Sequence, residues 1–285
     1  MIVVLAVVVA VLAIMAIDRS RPGPTNESLA PIPTFNAAPP QPSATPAPTD
    51  TPLQPVPRAD ERFLSIGSEG ILWRGVAGSC ADGAAPMIER SANGGGSWND
   101  VTPLYLGIGQ ITRLDAFAGT QAQTVAILGE DRTADGLRTF TQGRFWESYE
   151  EVLATSAYIA ADDPALVITP DGAIAAPCAD ARGLRQDGDT IALVCGAAVF
   201  TLVDNQLQTL SVEDAAAVAV DGSTIVVAGA SADCAGLALT TVTDGAPTPV
   251  ACVEGADPAA PTAITLLDGV VVIWAGETYT TLPVR

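Results

Sequence analysis

The chain of 285 residues is long enough for one or two domains, and 48% hydrophobic residues suit a sizeable core. Its formal net charge of -19 is repelled at long range by nucleic acid or an anionic membrane surface, so no nucleic-acid partner is expected. It has no His, and all thirteen of its basic residues are Arg, which removes Ser-His-Asp and Cys-His catalysis, histidine metal sites, the Walker lysine and Schiff-base chemistry.

Residues 2 to 17, IVVLAVVVAVLAIMAI, form an unbroken apolar run ended by Asp18 and Arg19. At about 1.5 Å per residue it spans roughly 24 Å. Residues 1–18 are therefore read as a transmembrane anchor, with the apolar region of a signal peptide as the alternative; no small-x-small cleavage site ends the run. Arg19 and Arg21 follow the run and none precedes it, which under the positive-inside rule would leave the C-terminal part in the cytoplasm. The downstream composition argues the other way, so a basic stretch upstream of Met1 is expected in the natural reading frame.

Residues 19–60 are read as a Pro-rich disordered linker, because 22–57 carry twelve of the 22 prolines among Thr, Ser, Ala and Gln. In polyproline II geometry, at about 3.1 Å per residue, it would reach on the order of 110 Å. A Pro-rich ligand for a recognition domain is the alternative reading.

From Glu61 to the end, short runs of Val, Ile, Leu, Ala and Thr are each ended by Gly, Asp or Asn. The pattern predicts an all-β domain with little helix. DGDTIALVCG (187–196), DGSTIVVAGA (221–230) and DGVVVIWAG (268–276) share an Asp-Gly turn, an apolar strand and a closing Gly. Looser versions are SEGILWRG (68–75), GTQAQTVAILG (119–129) and DDPALVITPDG (162–172), making six units. A second turn follows in each: ANGGGSW, TQGRFW, TPDGAI, VDNQL, TDGAP and WAGETY. Uneven spacing suits blades of three or four strands, and the expectation for 61–285 is a β-propeller of six blades, with seven blades or a β-sandwich as alternatives.

Ser91, Asn93, Gly95, Ser97 and Trp98 stand in the order Ser-x-Asn-x-Gly-x-Ser-Trp. Short polar side chains can bond the backbone of a tight turn, glycine relaxes its dihedrals, and Trp folds back as an apolar plug. The pattern resembles the Asp-box, or BNR repeat, of a β-propeller family that includes sialidases. A worn copy, TFTQGRFW, keeps Thr139, Gly143 and Trp146 but has Thr141 for the acidic position and Phe145 for Ser/Thr. The resemblance implies a structural role for both, on the hairpin between outer strands.

Five cysteines lie in the β domain. The spacings 178–195 and 234–252 are nearly equal, so Cys178–Cys195 and Cys234–Cys252 are the expected disulfides, with Cys80 unpaired. Such pairs fit an oxidising, extracytoplasmic location; buried free thiols are the alternative.

A sialidase-like glycosidase, the enzymatic reading of the resemblance, would need an arginine triad, a Tyr nucleophile paired with Glu, and an Asp acid. The family's Arg-Ile-Pro signature is absent, and past Arg185 only Arg285 remains. The nearest constellation is Arg144, Glu147, Tyr149, Glu150 and Glu151, which reads as a solvated outer strand or loop. The acidic groups 160–163 and 187–189 match no calcium loop. No catalytic, cofactor-binding or metal residue is therefore assigned. The expectation is a membrane-tethered extracytoplasmic propeller that binds or scaffolds a protein or glycan without catalysis, with the glycosidase as alternative.

Overall fold

Six antiparallel sheets follow one another along the chain in the computed structural model, which describes residues 55–129 and 131–284. Blade 1 comprises β1 (Arg62–Ile66), β2 (Leu72–Val76), β3 (Met87–Ser91) and β4 (Asn99–Asp100); blade 2 comprises β5 (Ile108–Phe117), β6 (Gln121–Leu128), β7 (Thr133–Thr139) and β8 (Glu147–Ser148). Blade 3 has three strands, β9 (Tyr158–Ile159), β10 (Leu166–Thr169) and β11 (Gly172–Ala175). Blade 4 is β12 (Arg182–Asp187), β13 (Thr190–Cys195), β14 (Ala198–Val203) and β15 (Gln206–Thr209); blade 5 is β16 (Ala215–Asp221), β17 (Thr224–Ser231), β18 (Cys234–Thr243) and β19 (Ala246–Glu254). Blade 6 is β20 (Thr262–Leu267), β21 (Val270–Ala275) and β22 (Thr278–Pro283). The ring is a six-bladed β-propeller, not a seven-bladed one or a sandwich.

The apolar runs that follow the Asp-Gly turns are the second strands of blades 4, 5 and 6. β13, β17 and β21 are buried almost throughout, because each lies between the faces of two neighbouring blades. A strand covered on both faces has no reason to alternate. The fourth strands, such as β15, are mostly exposed at the rim.

Every sheet is built from consecutive strands, so the first and last blades are joined by side chains. Leu64 and Leu72 of blade 1 pack with Ala263, Val272 and Trp274 of blade 6. The Arg62 guanidinium lies 4.0 Å from the Trp274 ring centroid and donates to the Gly276 carbonyl at 2.7 Å. Arg74 stacks between Trp98 (4.2 Å) and Trp274 (4.7 Å) while pairing with Glu89 at 2.6 Å.

One helix was not anticipated from sequence. α1 (Glu150–Thr155) follows β8, with Glu150 and Glu151 in its first turn, where the helix dipole favours them. It docks on Gly136 of β7, where a Cβ would stand 2.5 Å from the Leu153 nitrogen. The helix returns the chain to the opposite side of the ring, so β9 runs against the other five inner strands. Its start faces Gln186 at the end of β12, since the Ala157 N–H donates to Gln186 Oε1 at 2.7 Å. At its far end the Ile159 and Ala160 carbonyls accept from Arg58, which also caps Ala181 just before β12. The Asp162–Asp163 turn, expected to match the Asp-Gly turns, therefore lies on the face opposite to them.

The apolar run 2–17 and residues 19–54 of the linker lie outside the described residues. Among the described residues no helix is long and apolar enough to cross a membrane. Arg58–Asp60, at the expected end of the linker, form a 3-10 turn seated on the ring through Arg58.

Tyr279 at the seam between blades 6 and 1 has a buried hydroxyl without a partner among the described residues. Burial pushes its pKa up to about 12, with Arg74 opposing. The unfolded phenol ionises near about 10, so the stability held by the neutral phenol is intact below that pH and is lost as pH rises through about 12. Tyr279→Phe is expected to melt at or above the wild-type temperature near neutrality and to lose less between those pH values. Tyr158, also raised by burial, retains part of the alkaline slope. Identical alkaline slopes for wild type and variant in scanning calorimetry would reject the assignment.

Candidate functional site: an axial cup closed at one end

The five inner strands that run in one direction place their C-terminal halves around a cavity of about 640 Å³ on the face of the Asp-Gly turns. Its wall includes Ser65 and Ile66 of β1, Arg113 and Asp115 of β5, Arg185 to Asp187 of β12, Asp221 of β16, and Thr265 with Leu267 of β20. In place of a parallel inner strand, blade 3 contributes only Pro170 from its own turn, and Thr155 with Ser156 come from the end of α1.

The far end of the channel is stoppered. Arg185 lies partly buried across the axis: Nη1 donates to the Leu184 carbonyl at 2.8 Å, and Nη2 reaches blade 1, diametrically opposite, to donate to the Arg62 carbonyl at 3.0 Å. Its guanidinium also stands 5.3 Å from the Phe63 ring centroid. Beyond it Glu61 accepts from the Gly183 N–H at 2.8 Å and pairs with Arg58 at 3.5 Å. Arg182 donates to the Gly196 carbonyl at 2.6 Å. Burial pulls the Arg185 and Arg182 guanidinium groups below their ordinary values, opposed by Glu61 and, respectively, by Asp115 and Asp180. The channel is thus a cup, open only on the turn face.

Within the cup Arg113 is ion-paired with Asp115, bonded to Gln186, and donates to the Ala157 carbonyl at 3.2 Å. This ties blades 2, 3 and 4 together at the mouth. Asp187 accepts from the Gly222 N–H of the next blade at 2.7 Å. Both cup arginines therefore hold the wall, and the remaining charge at the rim is negative.

The residues singled out from sequence lie elsewhere. In the turn between β3 and β4, the Ser91 hydroxyl donates to Asn93 Oδ1 at 2.9 Å and accepts from the Gly95 N–H at 2.9 Å. Asn93 Oδ1 accepts from the Ser97 N–H at 2.9 Å, and its amide donates to Ser97 Oγ at 3.0 Å. In the turn between β7 and β8, Thr139 Oγ1 accepts from the Gly143 N–H at 2.9 Å, and Thr141 Oγ1 accepts from the Phe145 N–H at 2.8 Å. The Thr141 hydroxyl does there what the Asn93 amide oxygen does in the first turn.

Both turns face the blade before them. Gly95 has φ +90° and a Cβ there would stand 2.3 Å from the Tyr279 ring of blade 6; Gly143 has φ +86° and a Cβ would stand 2.6 Å from Val101 at the end of blade 1. Trp98 meets Tyr279 edge-on at 5.9 Å. Trp146 is buried, meets Trp73 at 6.0 Å, and its indole N–H donates to the Val101 carbonyl at 3.0 Å. Each turn is an inter-blade joint, with glycine where the neighbour's side chain presses in.

The disulfides are Cys178–Cys195 and Cys234–Cys252, with Cys80 free. Arg144, Glu147, Glu150 and Glu151 are exposed at the outer edge of blade 2, and Tyr149 packs edge-on against Phe140 at 5.7 Å; none lines the cup. Of the acidic groups, Asp187 and Asp189 line it, whereas Asp162 and Asp163 do not. Among the described residues no three metal-ligating side chains gather into a site. The cup escaped sequence reasoning because its wall is drawn a few residues at a time from blades far apart in the chain.

No protein-family model and no curated protein sequence matches the chain. Solved structures do. A fungal lectin of Aleuria aurantia, described as a six-bladed β-propeller with a novel fucose recognition mode, is 10% identical, with a TM-score of 0.46 over 82% of this chain and 97% of the lectin. YCF48 bound to a D1 peptide is 14% identical, with a TM-score of 0.29 over 81% of this chain and 71% of that one. The Hadza microbial sialidase Hz136 is 10% identical, with a TM-score of 0.33 over 78% and 52%. These are likenesses of fold alone, and they bring no residue correspondences to the cup.

Proposed function

We propose that the chain is a membrane-tethered, extracytoplasmic binding or scaffold module without catalytic activity, and that its partner, a protein or a glycan, is held in the axial cup. The observation that carries this reading is the cup itself: a cavity of about 640 Å³ closed at one end, whose two arginines are engaged by the wall. Binding pockets of this size with a few placed polar groups are the ordinary locus of recognition. The two disulfides support an oxidising compartment. The tether rests on the apolar run 2–17 and the Pro-rich stretch after it.

The glycosidase reading finds less support. Two arginines line the cup rather than three, and Tyr149 with its glutamates is remote from it. A chain without His or Lys also has few groups poised to titrate near neutrality.

Thr265→Trp places a bulky ring in the cup. Full-length wild type is expected to retain a component from envelope extracts that the variant, melting at the same temperature, does not. Neither is expected to turn over fluorogenic sialosides. Equal retention by both chains, or turnover that Thr265→Trp abolishes, would sink the reading.

A further inference from the structure

We infer that the cup and a trough adjoining it form one elongated site for an extended polypeptide segment bearing basic side chains. This deepens the binding reading and rests on it. The trough, of about 420 Å³, is lined by blades 3 and 4 and shares Pro170, Gln186, Gly188 and Asp189 with the cup, so the two adjoin. Two adjoining cavities, one axial and one set beside it, suit a chain more than a compact small molecule.

The charge along this path has one sign. Asp171, Asp189 and Asp204 line the trough, and no Arg does. Asp221 stands on the cup wall. None of these four carboxylates has an ion-pair partner among the described residues. The cup arginines do not offset them, since Arg113 faces Asp115 and Arg185 faces carbonyls. Unpaired charge of one sign in a cleft with protein walls focuses the field on whatever enters.

Turn geometry does not demand this charge. Asp204 and Asn205 both have positive φ, at 48° and 61°, which suits a two-residue hairpin turn. Asn or Gly would serve the backbone there as well as Asp. The same holds at Asp171, whose successor Gly172 carries the positive φ.

The apolar part of the cup wall supplies the second half of the recognition. Ile66 and Leu267, from blades 1 and 6, are partly exposed and line the same cup as Asp187 and Asp189 of blade 4 and Asp221 of blade 5. A Lys or Arg side chain is an apolar stem with a charged head, and a wall with both apolar side chains and carboxylates matches both parts. The hydroxyls of a neutral glycan can donate to carboxylates but would leave the charge of all four uncompensated.

The test measures binding of the acetylated, amidated peptide (Gly-Lys)₄, carrying a fluorophore, to the full-length chain by anisotropy at near-physiological salt. The triple variant D171N/D189N/D204N keeps side-chain size and turn compatibility. It is expected to weaken binding at least about tenfold, in line with the loss of close charge pairs in a cleft. E213Q/E254Q/E277Q removes the same charge at exposed sites away from the cup and is expected to change affinity less than about twofold, because exposed charges are screened over a Debye length. Circular dichroism melts of both triples verify folding. Equal weakening in the two triples would mean attraction to the acidic chain as a whole, and no binding by wild type would mean no such site; either overturns the inference. If Thr265→Trp abolishes retention of an envelope component while the peptide never binds, the binding reading stands and this inference falls.

Discussion

Cys252→Ala, which opens the Cys234–Cys252 bridge within blade 5, is expected to lower the thermal midpoint by roughly 6–12 °C. The bridge closes a separation of 18 residues. For a loop of that length the chain-entropy model gives about 3 kcal/mol, and each kcal/mol moves the midpoint of a domain this size by about 2–4 °C. Cys252 is exposed, so its truncation leaves no void. Cys195→Ala breaks a bridge of nearly equal span, 17 residues, but Cys195 is buried in a cluster with Ile159, Leu184 and Leu193. It should therefore cost more, by the packing lost around its sulfur. Reductant should shift wild type by at least the Cys252→Ala amount and leave a chain lacking all four bridging cysteines unmoved. Five titratable thiols in the native protein would contradict both expectations and remove the chemical support for an oxidising compartment.

The parts legible in the sequence were those in which one local segment does the whole job. Asp187-Gly188, Asp221-Gly222 and Asp268-Gly269 each turn one hairpin, and the apolar run after each is a strand buried by two neighbours, so a ten-residue window carries both signals. The polar turns at 91–98 and 139–146 are local in the same sense. What the window missed depends on the ring. Arg58 reads as the end of a Pro-rich stretch until blades 3 and 4 present three carbonyls to it. Arg185 reads as a strand arginine until Arg62, 123 residues away, closes the channel against it. The inversion of blade 3 was hidden because EEVLAT is too short for helical periodicity to appear, and its docking depends on a single glycine in another strand. Six residues of helix thus decide the direction of a blade and the shape of the cup's mouth.

The cohesion of the ring is divided between two chemistries, and that division makes the second large prediction. One disulfide ties the link between blades 3 and 4 to β13 and the other lies within blade 5, whereas the seams between blades 6 and 1 and between blades 1 and 2 carry the tryptophan turns. Trp146→Ala is expected to destabilise by about 3–5 kcal/mol, the usual cost of emptying a fully buried aromatic site. The site cannot collapse readily, because Tyr105 is held to the Trp146 backbone, accepting its N–H at 2.5 Å and donating to its carbonyl at 2.9 Å. Removing the indole also strands the Val101 carbonyl. Trp98 is only half-buried and leans on Arg74 and Tyr279, so Trp98→Ala should cost less globally. Its effect should concentrate at the closing seam: hydrogen exchange should rise in β20–β22 and β1–β2 before it rises in blades 3 to 5. In Trp146→Ala the added exchange should instead centre on blades 1 and 2. Uniform loss of protection around the ring in both variants would show that the seams do not fail independently, and that the two turns act only through global stability.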